Sequence, residues 1–264
     1  MNESASLTRL ALRKFRKNFW GLFSFCFLIG CILVALFAYA LAPDNSQNAN
    51  QMHLSIHSKN PGFTVDMLTI PAPSRDQNAL EVFFYGRANA DSEIPISNYT
   101  LLDNAIETTA YTSDGTPGLR KEYPLSFFPD IQSVEEIPAK YISTKTFLLG
   151  TDKFGRDLLS RMLIGMRVSL TIGFIAVLIS LIIGVSLGAI AGYCGGKVDA
   201  VIMWLINVTW SIPTLLLVIA ITLALGKGFW QVFIAVGMTM WVEVARVVRG
   251  QVMGVKQMQY VTAA

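Results

Sequence analysis

Few side chains in this sequence stand where they could do covalent chemistry. His53 and His57 are four residues apart, a spacing that puts two imidazoles on one helical turn and lets them share a metal ion. No third ligand accompanies them, and two solvated loop histidines is the plainer reading. Glu135 and Glu136 form an acid pair, but adjacent carboxylates on a loop are ordinarily solvated. No Gly-x-Ser-x-Gly turn presents a nucleophile, and no Gly-Lys-Ser/Thr loop cradles a phosphate. Cys26, Cys31 and Cys194 all fall in or beside apolar stretches, so they make no disulfide framework. The expectation is a chain with no catalytic site, no metal and no cofactor.

The informative polar residues are of another kind. Ser180, Gly184, Gly188 and Gly192 recur at strict four-residue spacing within an uncharged run, a stripe that lets a second helix backbone come close. Asn207, Thr209, Ser211 and Pro213 cluster early in another such run. They read equally as the lining of a polar pathway and as helix–helix hydrogen bonding. Pro213 removes a ladder hydrogen bond and should bend its helix. In Thr151 to Asp157, Thr151 or Asp152 can cap a helix along which Asp157 stands four before Arg161, the favourable order for an ion pair.

These residues are positioned by long apolar segments. The chain has 264 residues, 53% of them hydrophobic and 15% charged, with a mean hydropathy of +0.48. Soluble domains carry about 25% charged residues, so the deficit marks a membrane protein. No charge interrupts Phe19 to Ala42, Val168 to Gly196 or Ala200 to Gly226, each longer than the roughly 20 residues that cross a bilayer as a helix. Gly228 to Val242 is shorter and spans only if it continues to about Val248. The fold class expected is therefore an all-α polytopic membrane protein with four transmembrane helices, at 19–42, 168–194, 200–226 and 228–248. An amphipathic interfacial helix is expected over 151–167, leading into the second span.

Charge is segregated along the chain. Residues 43–150 hold 13 acids and 7 bases, whereas the remainder holds 14 bases and 5 acids. Five bases in the arm 1–18 (Arg9, Arg13, Lys14, Arg16 and Lys17) place it in the cytoplasm by the positive-inside rule. Residues 43–150 then lie outside, and four spans return the last residues to the cytoplasm. Because the bases flank spans rather than forming one patch, nucleic-acid binding is not indicated. Eight of the ten prolines fall between Asp44 and Gly150, and short strand-like runs such as Leu80 to Tyr85 and Tyr141 to Leu149 lie between breakers. It reads as a small β-leaning extracytoplasmic domain, preceded by a flexible lead-in over 43–59.

With these pieces placed, the chain resembles the permease subunits of dipeptide/oligopeptide/nickel-type ABC importers, and more closely the second of their two paired permeases. The resemblance rests first on Leu149-Gly150-Thr151-Asp152, Gly155-Arg156-Asp157, Ser160-Arg161, Gly165 and Arg167-Val168-Ser169-Leu170. Two later blocks are similar as well: Ser211-Ile212-Pro213 with Leu215-Leu216-Leu217, and Trp241, Ala245-Arg246, Arg249-Gly250-Gln251-Val252 leading to Tyr260-Val261-Thr262-Ala263-Ala264. That last run looks like the start of the family's ATPase-coupling loop, with Thr262 where the loop's eponymous Glu stands. The acidic segment between the first two spans is not part of the resemblance.

The resemblance implies a transporter of several subunits: this chain, a homologous second permease, two cytoplasmic ATPases and an extracytoplasmic substrate-binding protein, in the cytoplasmic (inner) membrane. ATP hydrolysis would belong to the ATPases, so the chain itself is not expected to be an enzyme. The family's loop Gly would stand four residues beyond Ala264 and two further spans beyond that, so a C-terminally truncated form of a six-span permease is expected. The rival readings are a membrane-anchored extracytoplasmic enzyme and a membrane scaffold or receptor that transports nothing.

Overall fold

A computed structural model describes residues 7–72, 77–88, 91–226 and 228–258. The chain divides into two compact units, 1–167 and 168–264.

In the first unit the basic helix α1 (Leu7–Lys17) stops at Asn18, whose side-chain oxygen accepts a 3.1 Å hydrogen bond from the Gly21 amide and so caps α2 (Phe19–Leu36). A short turn, α3 (Ala38–Leu41), follows. The chain then forms β1 (Phe63–Ile70), α4 (Ala79–Tyr85), β2 (Ser92–Leu102), β3 (Ala105–Ala110), β4 (Arg120–Pro124), α5 (Ile137–Tyr141) and β5 (Ile142–Phe147). The strands make one antiparallel sheet in the order β4-β3-β2-β1-β5. Side chains alternate across a strand, and β1 uses both faces. Val65 and Met67 pack with Ile56 and Phe147 on one side. Leu68 joins Ile96, Ile106, Phe128 and Ile137 on the other.

Five expectations change in this unit. Leu80 to Tyr85 is helical, not a strand: Gly86, at φ +76°, closes the turn by donating its amide to the Val82 carbonyl. Residues 43–59 are not a loose lead-in, since hydrogen bonds described below tie them down. No helix starts at Thr151 or Asp152. The Asp152 carboxylate instead accepts from the Phe154 and Arg156 amides at 2.8 and 3.0 Å, holding a turn, and Gly155 stands at φ +73°. Helix α6 (Leu158–Cys194) begins after Asp157, whose carboxylate accepts from the Ser160 amide at 2.9 Å. Asp157 does not take the expected ion pair, because Arg161 lies 3.7 Å from Asp152 instead. The separate interfacial helix therefore merges into one helix of 37 residues. At 1.5 Å per residue it is about 55 Å long, well beyond a ~30 Å hydrocarbon core.

The second unit holds the rest of α6, then α7 (Gly196–Ser211), α8 (Thr214–Leu225) and α9 (Phe229–Lys256). Gly195 and Gly196 stand at φ +64° and +54°, two successive left-handed residues that turn the chain from α6 into α7. The expected 200–226 helix is broken: α7 and α8 meet at 95°. Pro213 has no amide to donate and forces Ile212 into extended backbone, so two non-helical residues fall in sequence. Three described helices are long and apolar enough to cross a membrane: Phe19–Leu36, Leu158–Cys194 and Trp230–Lys256. The bent pair makes a fourth only if it crosses as one.

Candidate functional site

The residues just ahead of α6 that carry the resemblance build a knot. Thr151 donates its hydroxyl to the Ile56 carbonyl at 2.5 Å and accepts the Lys59 amide at 2.9 Å. The Thr151 amide in turn donates to the Lys59 carbonyl at 3.1 Å. Ser160 is fully buried, hydrogen-bonded to the Asp157 carboxylate, and its Oγ accepts the Asp44 amide at 2.9 Å. Arg156 pairs with Asp152 through Nε at 2.8 Å and a second nitrogen at 2.7 Å, and reaches Asn50 Oδ1 at 3.0 Å. A Cβ on Gly150 would collide with the Lys59 carbonyl, and one on Gly155 with that of His53. Apart from the local Asp152–Arg156 and Asp157–Ser160 pairs, these contacts join residues 44–60 to residues 150–160, which lie about a hundred positions apart along the chain.

Electrostatics follow from that geometry. Desolvation alone would raise the Asp152 carboxyl, but the hydrogen bonds from Arg156 and the turn amides outweigh it and hold it below the ordinary 3.8. Its folded value being depressed, the stability it contributes is complete above that value and is lost as pH falls through the lower, folded one. His53 is buried, which disfavours its charged form and lowers it from 6.5. The unfolded chain therefore binds this proton first, and the cost of protonation enters as pH falls below about 6.5. His57, by contrast, is exposed, with the short turn Leu54–Ile56 between the two. Among the described residues no group of three metal-ligating side chains occurs. Glu135 and Glu136 are exposed.

In the second unit the small-residue stripe meets α9. A Cβ on Gly184 would lie 2.6 Å from Val244 Cβ, and one on Gly188 2.5 Å from the Ala245 carbonyl oxygen. On Gly192 it would lie 2.9 Å from the Arg249 carbonyl oxygen. Ser180 is buried one turn earlier. The two backbones are as close as the absence of side chains allows. A core of Ala191, Ile202, Ile206, Trp241, Val242 and Ala245 continues the packing.

Sequence reasoning missed the ion pair beside this seam. Arg249 on α9 grips Asp199 on α7 through two nitrogens, at 2.5 and 2.6 Å. The signal was available, since Asp199 is the only acid in the sequence between Asp157 and Glu243 and needs a cation. Arg246 sits 3.8 Å from the Trp210 ring centre, a cation–π contact at the exposed end of α7. The polar cluster itself is quiet: Thr209 and Ser211 donate to the Leu205 and Asn207 carbonyls of their own helix, at 2.9 and 2.8 Å. Asn207 and Pro213 are exposed. Tyr260 to Ala264 lie outside the described residues.

Comparison with known proteins matches two segments, one at each end. Residues 6–60 match the N-terminal TM domain of oligopeptide transport permease C. Residues 184–264 match the binding-protein-dependent transport system inner membrane component. Among curated relatives, the oligopeptide transport system permease protein OppC of Bacillus subtilis is 40% identical over 121 residues, covering 46% of this chain and 40% of the relative. The dipeptide transport system permease protein DppC of the same organism is 44% identical over 115 residues, 44% of this chain and 36% of the relative. DppC of Lactococcus lactis is 39% identical over 135 residues, 51% of this chain and 38% of the relative. The matched part thus spans about two fifths of each relative's length. In its two matched segments, one carrying α2 and the other the seam with α9, the chain is similar to oligopeptide and dipeptide transport permease proteins.

Proposed function

We propose that this chain is the transmembrane subunit of an ATP-driven importer of short peptides and forms half of its translocation pathway. The observation that carries the reading is the pair of segments similar to permeases, at 6–60 and 184–264, on either side of the five-stranded sheet. The partners this reading calls for are a second permease, two cytoplasmic ATPases and an extracytoplasmic substrate-binding protein. ATP acts on such a machine only through contacts that differ between its two states, so the permease must move as a rigid two-state element. The Gly184–Gly188–Gly192 seam and the Asp199–Arg249 pair supply that rigidity by fastening α6, α7 and α9 together. Asn207, Thr209, Ser211 and Pro213, at the break between α7 and α8, are the residues assigned to the pathway. Unwound backbone at membrane depth is tolerated where it lines a water-filled cavity or is buried in protein. Tyr260 to Ala264 are assigned to the start of the ATPase-coupling loop. The broken pair α7–α8 is taken as one of four spans.

Gene inactivation tests the proposal. Loss of labelled-peptide uptake with free amino-acid uptake intact supports it, and unchanged uptake of both di- and oligopeptides refutes it.

In this reading residues 43–150 lie outside and both ends of the 264-residue chain are cytoplasmic, a placement supported by the five N-terminal bases together with an even number of spans. Single cysteines at Ser92 and Lys256, with the three native cysteines replaced, should react oppositely with an impermeant thiol reagent added outside. The Ser92 site labels and the Lys256 site does not; labelling of the latter would reverse the topology.

A further inference from the structure

The short helix α4 buries little of its own apolar surface. Leu80 is 72% exposed, Phe84 45% and Tyr85 68%, while Val82 and Phe83 on the opposite face are half-buried. Exposed apolar side chains scattered singly need no explanation, but these are contiguous and sit at a particular level. The Phe83 ring meets the ring of Phe37, the residue directly after the apolar span α2, edge to face at 5.6 Å. Arg167, the last charge before the uncharged run of α6, donates to the Phe83 carbonyl at 3.1 Å. Its guanidinium also lies 5.4 Å from the Tyr39 ring centre and 5.5 Å from that of Phe84.

Helix α4 is therefore fixed beside the end of one span and the last charge before another. That is the depth at which arginine and aromatic side chains sit between headgroups and hydrocarbon. Only 6% of α2 is buried, and exposed Phe37 and Leu41 continue its apolar surface toward Leu80 and Phe84.

We infer that α4 is a membrane-interface anchor: Leu80, Phe84 and Tyr85 insert among the lipid headgroups and upper acyl chains, holding the sheet of the first unit against the bilayer. The occupant of this face is lipid, because the face is continuous with a span and carries the aromatic–leucine composition of interfacial helices. The device needs no ligand and is independent of what the transporter carries.

The test places an environment-sensitive fluorophore on single cysteines at Leu80 and Tyr85, in the full chain without its native cysteines. The chain is inserted into phosphatidylcholine–phosphatidylglycerol vesicles. Leu119, 86% exposed in the β3–β4 connection, carries the reference probe. The Leu80 and Tyr85 probes should be quenched by a lipid bearing a nitroxide high on its acyl chain and spared by aqueous iodide, with the Leu119 probe showing the reverse. Iodide quenching at Leu80 equal to that at Leu119 overturns the inference. So does shielding of both helix probes from both quenchers, which would mean that a protein surface covers α4.

Discussion

Replacing Gly188 by leucine is expected to abolish productive assembly of the transporter while leaving insertion of the chain intact. The position tolerates no side chain: a Cβ alone falls 2.5 Å from the Ala245 carbonyl oxygen and 3.0 Å from Val248 Cβ. Overpacking a well-packed interface costs roughly 1–3 kcal/mol, and here the obstacle is backbone, which cannot rotate away. At about 1.4 kcal/mol per decade, the equilibrium constant for correct packing falls by about fivefold to a hundredfold. Gly188→Ala should show the same defect in milder form. Gly173→Ala, on the same helix with nothing within 4 Å of its new Cβ, should be close to neutral. Blue-native gels of the co-expressed complex distinguish these cases. Normal assembly and uptake with Gly188→Leu would mean that the seam with α9 is not needed.

The second large effect is expected at Asp152. Asp152→Ala removes the acceptor for two turn amides and leaves Arg156, whose side chain is 13% exposed, without its carboxylate. Hydrogen bonds to charged groups contribute about 1.5–3 kcal/mol each, so the knot should open. Residues 44–60 would then detach from the head of α6, and trypsin cleavage at Lys59 should accelerate at least about tenfold. Asp152→Asn keeps one acceptor oxygen and should fall between. Asp114 is the informative contrast, since hydrogen bonds from Thr116 also lower its carboxyl from 3.8, yet it stands on an exposed turn. Asp114→Ala should leave Lys59 cleavage unchanged. Equal cleavage in Asp152→Ala and the unaltered chain would show that the knot does not hold this region.

What could be read from residue order alone follows physical range. The long apolar helices Phe19–Leu36, Leu158–Cys194 and Trp230–Lys256 were legible because hydrocarbon requires about 20 consecutive apolar residues, a purely local condition; the same condition did not reveal that the run 200–226 divides into two helices. The stripe at Ser180, Gly184, Gly188 and Gly192 was legible as a packing face, but not its partner, since Val244 and Ala245 lie some sixty residues on. The start of α6 was misread because Asp152 satisfies turn amides as well as it would helix amides, and local capping rules do not distinguish the two. Leu80 to Tyr85 misled for a related reason: a six-residue, largely apolar run has no decisive period, and its contacts with Phe37 and Arg167 come from distant segments. The role of the knot residues was the least visible. Gly150, Thr151, Asp152, Gly155 and Ser160 answer to Lys59, Ile56, His53 and Asp44, an arrangement that exists only once the chain has closed a loop of about a hundred residues.

The central claim is that this chain carries peptides across the membrane as part of an ATP-driven importer. The direct measurement is uptake of a labelled tripeptide by cells in which the gene is inactivated, then restored in its unaltered, Gly188→Leu or Asp152→Ala form, each assayed with and without depletion of cellular ATP. Uptake should vanish on inactivation, return with the unaltered gene, stay near background with either variant, and collapse when ATP is depleted. Peptide uptake that persists without the gene, or that continues unchanged after ATP depletion, would contradict the claim.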